Sequence, residues 1–208
     1  MAAATPGRKA IVYLHGFVSS PRSRKATMLG DYLRNCVSGV DYVVPELHHR
    51  PRIAMAQIEA ACAGRASADL TLVGSSLGGF YATVMAERIG CRAALLNPAV
   101  HPHRHFGRYL GPQKNLYTGE EFELTVEHVG ELMALDVPAI TRPERYWLFV
   151  ETGDEVLDYR EAVAFYDGAC QAVVRGGDHA LGSFPEHVPE IVEWASGDPA
   201  APMARGAA

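Results

Sequence analysis

Short apolar runs alternate with longer amphipathic stretches along most of this chain. The apolar runs, each a predicted strand, lie at residues 9–14, 42–44, 70–73, 93–96, 146–150 and 171–174. Between them, the spacing of apolar positions predicts helices at residues 23–35, 53–63, 77–89, 159–166 and 188–195. Strands that alternate with helices pair in parallel, and the helices then cover both faces of the sheet. The pattern therefore predicts a compact α/β fold with about six mostly parallel strands.

One segment, residues 97–144, interrupts this alternation. It is rich in histidine, proline, glycine and aromatic residues, and it contains one helical pattern at 126–135. Because a structureless loop of this length is uncommon in a compact domain, we expect a cap insertion that lies over the strand ends. Phe106, Tyr109 and Tyr117 are candidates for a pocket wall under this cap. The alternative for each is that it only anchors the cap to the body.

Composition limits the classes of function. With 208 residues, of which 48% are hydrophobic, the chain is expected to bury one core in a single domain at 1–196. A net charge of -5 offers no basic surface for nucleic acid. The N-terminal sequence lacks the order of a secretory signal, and no apolar stretch approaches the roughly 20 residues of a membrane span. We therefore expect a soluble cytoplasmic protein without a membrane partner, with a disordered tail at 197–208.

The predicted strand at 70–73 leads into the most informative motif of the chain. Gly74, Ser76 and Gly78 fit the pattern Gly-x-Ser-x-Gly between a predicted strand and a predicted helix. In α/β hydrolases this unit presents a nucleophilic serine on a strained turn, and the start of the helix points its N–H groups towards the oxyanion. Ser76 is therefore the candidate nucleophile. The alternative is an ordinary glycine-rich turn with an incidental serine.

A serine nucleophile requires a base, and in this fold the chain order is serine, then an acid, then histidine. Of the nine histidines, His179 lies in the turn that follows the last predicted strand, which makes it the candidate base. His187 is the rival, but it lies in or beside the final predicted helix, beyond the loop that would reach over the sheet.

The acid that orients the base is expected at the end of another strand, where catalytic groups gather in α/β sheets. Asp154 follows the predicted strand at 146–150 in a tight turn with Gly153, and it is the candidate acid. Asp158 and Asp178 remain alternatives. Asp178 adjoins His179 in sequence, and since adjacent side chains rarely face each other, the role of a turn former is favoured for it.

The loop after the first predicted strand is expected to complete an oxyanion hole. The N–H of Leu77 is one predicted donor, and the N–H of Phe17 is the second. Gly16 allows the backbone to turn towards the serine, and His15 is interpreted as a residue that orients this loop by hydrogen bonding. The candidate substrate-binding residues are His15, Gly16, Phe106 and Tyr109.

Histidine and cysteine residues are the remaining candidates for metal ligands. His101, His103 and His105 alternate, but Pro102 lies between them and no carboxylate is close in sequence, so we predict neither a metal site nor a cofactor. Residues 48–50, with two histidines and an arginine, are either contacts to an anionic substrate or an ordinary surface loop. The cysteines form no Cys-x-x-Cys pair and are interpreted as small buried residues: Cys36, Cys62, Cys91 and Cys170.

Together these motifs resemble the small bacterial YqiA-like esterase family of the α/β hydrolases. The matching stretches are residues 11–17, 19–21, 25–26, 74–79, 96–100, 117–120, 152–159 and 176–179. The resemblance implies a compact hydrolase that acts on carboxylic esters or thioesters of modest acyl length, with Ser76, Asp154 and His179 in the triad positions. The three histidines of the predicted cap depart from the family's pattern.

The sequence thus predicts a serine carboxylesterase that hydrolyses short- to medium-chain acyl esters through an acyl-enzyme. An acyl-CoA thioesterase is an alternative with the same chemistry. A non-catalytic binding protein with a hydrolase fold is an alternative of a different class. The joint presence of a nucleophile, a base, an acid and an oxyanion loop favours the enzyme.

Overall fold

A computed structural model describes residues 7–197 of the chain. The strands are β1 (Lys9–Leu14), β2 (Val40–Val43), β3 (Leu70–Ser75), β4 (Arg92–Leu96), β5 (Gly111–Lys114), β6 (Glu121–Leu124), β7 (Tyr146–Glu151) and β8 (Cys170–Val174). The helices are α1 (Arg24–Cys36), α2 (Pro51–Cys62), α3 (Leu77–Ile89), α4 (Val126–Ala134), α5 (Tyr159–Phe165) and α6 (Phe184–Ser196). Apart from Gly197, the tail predicted to be disordered lies outside the described residues.

Six strands form one parallel sheet in the order β2-β1-β3-β4-β7-β8. This confirms the predicted α/β fold, and each predicted strand matches an observed one to within two residues. The strand β3 lies between β1 and β4 at the centre of the sheet. The segment that ends β3 is therefore flanked by the loops that follow its two neighbours.

Alternate residues of the strands face two separate layers of core. In β1, Ala10, Val12 and Leu14 pack on the side of α2, α3 and α5, whereas Ile11 and Tyr13 pack on the side of α1 and α6. Both faces of the sheet are covered, which explains why the central strands read as continuous apolar runs rather than as alternating ones. No helix within residues 7–197 has both the length and the apolar character that crossing a bilayer requires.

Two helices and one cysteine differ from the sequence prediction. The helix α3 was expected to bury one face, but residues 77–86 are buried all round because its small residues let neighbouring backbone approach closely. The helix α6 begins at Phe184, four residues before the predicted start, since Pro185 fits the first turn of a helix. Among the cysteines, Cys62 and Cys91 are buried as expected, but Cys36 is exposed at the end of α1.

The segment 97–144 contains two short 3-10 turns, the helix α4 and an antiparallel hairpin of β5 and β6. The hairpin was not predicted because its strands have only four residues each and are largely polar. It lies over the loop that follows β1. The Asn115 side chain donates to the Ser19 carbonyl at 2.9 Å, and the Leu116 N–H donates to the Val18 carbonyl at 3.1 Å.

Candidate active site

Ser76 occupies a strained turn between β3 and α3. Its φ is 55° and its ψ is -122°, a conformation that a residue with a side chain rarely adopts. The turn is fixed by its backbone: the Ser76 N–H donates to the Leu96 carbonyl at 3.0 Å. The Ser76 carbonyl accepts from Gly79 at 2.9 Å and from Ala99 at 3.0 Å. These bonds hold the serine at the carboxyl end of the sheet.

Glycines around the turn allow three backbone segments to meet there. A Cβ at Gly78 would overlap the carbonyl oxygen of Leu14, and a Cβ at Gly74 would overlap that of Gly78. A Cβ at Gly16 would lie 3.3 Å from the Ser76 Cβ. Side chains at Gly74 and Gly78 would therefore prevent this packing of strand and helix, and one at Gly16 would crowd the serine.

Three of the predicted residues form one chain of hydrogen bonds. The Ser76 Oγ lies 3.0 Å from His179 Nε2, and His179 Nδ1 lies 2.8 Å from Asp154 Oδ2. The Asp154 side chain is 2% exposed, whereas the His179 side chain is 23% exposed. The fold therefore brings together three groups that are far apart in sequence. They are a buried acid, a partly exposed imidazole and a hydroxyl, connected by hydrogen bonds.

The surroundings of Asp154 favour its ionised form. Burial by itself raises the pKa of this carboxyl, but hydrogen bonds from His179, Leu157 and Val156 outweigh burial, and the pKa is lowered. The Val156 and Leu157 N–H groups donate to Oδ1 at 2.8 and 2.9 Å, which leaves Oδ2 for the imidazole. A carboxylate at His179 Nδ1 keeps the proton on that nitrogen and leaves Nε2 free to accept one from Ser76.

The rival residues have other partners. Asp158 accepts a hydrogen bond from the Arg160 N–H at 3.0 Å and caps α5. Asp178 accepts one from the Ala180 N–H at 2.9 Å, in the turn-forming role expected of it. His187 lies in α6, where its ring packs 4.8 Å from the ring of Phe149.

The predicted oxyanion donors flank Ser76 on two sides. Leu77 begins α3, and Phe17 follows Gly16 in the loop that contacts the serine. Among the hydrogen bonds of residues 7–197, neither the Phe17 N–H nor the Leu77 N–H has an acceptor. Two N–H groups are thus left without a protein partner next to the Ser76 hydroxyl.

A cavity of about 650 Å³ opens over the serine. Its wall includes Ser76, Leu77 and His179 from the body, Gly16, Phe17 and Val18 from the loop after β1, and Phe106, Tyr109, Leu116 and Tyr117 from the segment 97–144. Phe106 also packs edge-on against Phe17 with ring centres 4.9 Å apart. Phe106 thus both lines the cavity and anchors this segment to the body, whereas Tyr109 packs on Phe106 within the segment.

His15 does not line this cavity, so the structure does not support the prediction that His15 binds the substrate. The residue is 2% exposed, and its Nε2 accepts a hydrogen bond from the Leu47 N–H at 3.1 Å. The Nδ1 then donates to the Gly16 carbonyl at 3.0 Å. Burial lowers the pKa of His15 and keeps it neutral. The side chain joins the loops after β1 and β2, as its predicted orienting role requires.

Sequence reasoning missed two residues that hold the loop of His179. Glu151 is 1% exposed at the end of β7, and its carboxylate accepts hydrogen bonds from the N–H groups of Asp178, Gly182 and Ser183. Asn97 donates to the Asp178 and His179 carbonyls at 3.0 and 3.3 Å. One signal in the sequence could have identified Glu151: it is an acidic residue at the end of an otherwise apolar strand.

The histidines outside this site have carboxylate or histidine neighbours. His101 Nδ1 lies 2.9 Å from Asp136 Oδ2, so a carboxylate is close in space although none is close in sequence. Within the part of the chain that the structure describes, no three such side chains are arranged to hold a metal ion. His49 Nδ1 lies 3.0 Å from His128 Nε2, which connects the loop after β2 to α4.

Solved structures with the same fold come from different organisms. A putative hydrolase from Agrobacterium vitis is 17% identical, with a TM-score of 0.73 over 95% of this chain and 91% of that one. Alpha/beta hydrolase domain-containing protein 10 from mouse is 14% identical, with a TM-score of 0.68 over 94% and 93%. Est1E from Butyrivibrio proteoclasticus is 17% identical, with a TM-score of 0.63 over 90% and 88%.

At these identities the likeness establishes the α/β hydrolase fold and no more. A family model matches residues 10–196 and so covers every strand and helix except the first residue of β1. The chain belongs to the uncharacterised protein family UPF0227, the YqiA-like family.

Proposed function

We propose that this protein is a serine esterase that hydrolyses short- to medium-chain acyl esters. The observation that carries the proposal is the continuous set of hydrogen bonds from Asp154 through His179 to the Ser76 hydroxyl at the wall of a large, mostly apolar cavity. An acid, a base and a nucleophile in this geometry are the parts that acyl transfer to serine requires.

In the proposed reaction, the Ser76 Oγ attacks the acyl carbonyl carbon while His179 Nε2 takes the hydroxyl proton. The negative charge that forms on the carbonyl oxygen is stabilised by the N–H groups of Phe17 and Leu77. His179 then gives its proton to the leaving alcohol as the carbon–oxygen bond breaks, which leaves an acyl-enzyme. Water attacks this ester with His179 again as base, and the acid departs from a regenerated Ser76.

The cavity supports an acyl substrate of modest length. At about 650 Å³ it lies within the range of small-molecule sites, and Phe17, Phe106 and Leu116 give it an apolar wall. Two proteins of similar fold are compatible with an ester substrate. Est1E has been solved with ferulic acid bound, and an esterase domain from a Rhodothermus marinus protein shares 19% identity at a TM-score of 0.60. Ester hydrolysis is thus consistent with both cavity and fold.

The test is a comparison of turnover across nitrophenyl esters of graded chain length and the matching acyl-CoA thioesters. We expect turnover of the shorter esters, with a loss of about a thousandfold or more in Ser76→Ala. Ser38→Ala is the matched control, because Ser38 is exposed in the turn before β2. Full ester turnover in Ser76→Ala would exclude the serine mechanism, whereas turnover confined to thioesters would redefine the substrate.

A further inference from the structure

The first turn of α1 has an arrangement of charge that the fold itself does not explain. Arg24 and Lys25 are the first two residues of this 13-residue helix, and no acidic residue lies in its first turn. The N-terminus of a helix carries a partial positive charge and free N–H groups, so cations there are unfavourable and anions are favoured. Two adjacent cations at this end raise the local positive potential further.

The residue before the helix adds an unused hydrogen-bond donor. Ser23 occupies the N-cap position, yet its side chain caps nothing. The residue is 8% exposed, and its Oγ has no hydrogen-bond partner among residues 7–197. The Tyr13 hydroxyl is a polar neighbour, and Ser23 opposes the rise that burial causes in the pKa of Tyr13. The two side chains nevertheless do not meet in hydrogen-bond geometry. A buried hydroxyl without a partner is costly unless a ligand supplies one.

This turn faces the same cavity as Ser76. Ser23, Arg24 and Lys25 all line that cavity, together with Arg108 from the segment 97–144. Glu155 is the one acidic residue in the described wall, and its carboxylate accepts the His179 N–H at 3.0 Å. Within residues 7–197, neither Arg24 nor Arg108 has a carboxylate within ion-pair distance. A chain with a net charge of -5 thus places three cations, Arg24, Lys25 and Arg108, in the wall of the cavity over Ser76.

Lys25 is the most enclosed of these cations. Its Nζ donates to the Ala180 carbonyl at 2.8 Å, next to His179. Burial lowers the pKa of Lys25 to about 8, although the charges of Asp178, Glu151 and Asp154 act in the opposite direction. Each of those carboxylates also accepts backbone N–H bonds, so the lysine shares them rather than pairing with one. At the start of the helix, Arg24 is therefore the cation that no carboxylate of residues 7–197 neutralises, and its side chain is exposed.

We propose that Ser23, Arg24 and the free N–H groups of the first turn of α1 form an anion subsite, and that the substrate places a carboxylate or a phosphate there. The inference rests on the proposed esterase function, because it assigns a charge to the substrate of Ser76. Two sources supply the same chemistry. The anion is either the far end of a dicarboxylic monoester or a phosphate on the leaving-group side of a thioester.

Binding is tested first, without any turnover. Glutarate and inorganic phosphate are titrated separately by calorimetry into three proteins. These are Ser76→Ala alone, Ser76→Ala with Arg24→Gln, and Ser76→Ala with Arg22→Gln. We expect one of the two anions to bind and its Kd to rise about tenfold in Arg24→Gln. Arg22→Gln is the matched control, since Arg22 is exposed two residues earlier and outside the cavity wall. Equal Kd values in both variants, or no saturable binding, would overturn the subsite.

Kinetics then identify the source of the anion. One pair of substrates is nitrophenyl pentanoate and the nitrophenyl monoester of glutarate, and the other is an acyl pantetheine thioester with and without its phosphate. In one pair, the ratio of kcat/KM for the anionic over the neutral member should fall about tenfold in Arg24→Gln and stay unchanged in Arg22→Gln. No preference for charge in either pair would overturn the subsite but leave the esterase intact. Absence of turnover dependent on Ser76 would overturn the esterase, and calorimetry would still decide the subsite.

Discussion

Glu151 accepts a hydrogen bond from the Ser183 N–H at 2.7 Å although Glu151 is only 1% exposed. The same carboxylate binds the N–H groups of Asp178 at 2.7 Å and of Gly182 at 3.1 Å. Burial alone raises the pKa of Glu151, but the hydrogen bonds from Asp178, Gly182 and Ser183 outweigh it and the pKa is lowered. The loop that carries His179 is therefore wrapped around a buried negative charge.

Replacing Glu151 by glutamine should loosen this loop. The amide offers one acceptor oxygen instead of two, and its N–H₂ group would face a backbone N–H, which costs about 1–3 kcal/mol in the free energy of unfolding. Urea unfolding measures this loss, with Glu123→Gln on the exposed face of β6 as the control. The rate at which a fluorophosphonate labels Ser76 should also fall in folded Glu151→Gln protein. An unchanged labelling rate would mean that Glu151 stabilises the fold without positioning His179.

Acid should destabilise the protein through the carboxyls of Glu151 and Asp154. The folded-state pKa values of Glu151 and Asp154 lie below their ordinary values of 4.5 and 3.8. Each group therefore contributes stability that is fully present above its ordinary pKa and is lost as the pH falls through the lowered one. Unfolding free energy measured between neutral pH and pH values below 4 should decline at the acid end, and less steeply in Glu151→Gln. An identical slope in that variant would exclude Glu151 as a contributor.

The acid of the proposed triad has a direct test among three aspartates. Asp154→Asn keeps the shape but offers the wrong partner to His179 Nδ1, which should reduce kcat by up to roughly ten-thousandfold. Asp158→Asn and Asp178→Asn should reduce it far less, since their carboxylates bind the Arg160 and Ala180 N–H groups instead. If Asp158→Asn were the most damaging, the serine and histidine would stand but the acid would be misassigned.

The close approach at the turn of Ser76 makes Gly78 irreplaceable. A Cβ there would overlap the Leu14 carbonyl oxygen, so Gly78→Ala should prevent normal folding or displace Ser76. Gly107→Ala is the control, because a Cβ at Gly107 meets no atom within 4 Å and its φ is not in the left-handed region. Thermal unfolding and ester turnover separate the two outcomes. A fully stable and active Gly78→Ala protein would contradict the packing described for this turn.

The sequence was sufficient where local pattern and chain order determine the structure. The six parallel strands follow from buried apolar runs, and the positions of Ser76, Asp154 and His179 follow from turns at strand ends. The roles of Glu151 and of Ser23 were not predictable in this way. The role of Glu151 depends on which backbone N–H groups meet its buried carboxylate, and those groups lie 27 to 32 residues further along the chain. The role of Ser23 depends on the fold bringing the start of α1 to the wall of the cavity over Ser76.

The hairpin of β5 and β6 and the pairing of His101 with Asp136 were missed for a related reason. The hairpin strands are short and polar, and β5 contains Pro112, so no alternation of apolar and polar residues indicates a strand there. Asp136 lies 35 residues from His101, and only the fold of the segment 97–144 brings the two together. The positive charge of the cavity wall was likewise not predictable from the sequence. Arg24 lies in α1 and Arg108 in the segment 97–144, and only the fold places both in one wall.

The most direct measurement is fluorophosphonate labelling of the folded protein, mapped by peptide mass. An activated serine reacts covalently with this probe whatever its natural substrate, so the readout does not depend on guessing an ester. The hydrogen-bonded line from Asp154 to Ser76 predicts a single label on Ser76 that is lost in His179→Ala. A label on Ser75, or no label on the wild-type protein, would contradict the assignment of Ser76 as the nucleophile.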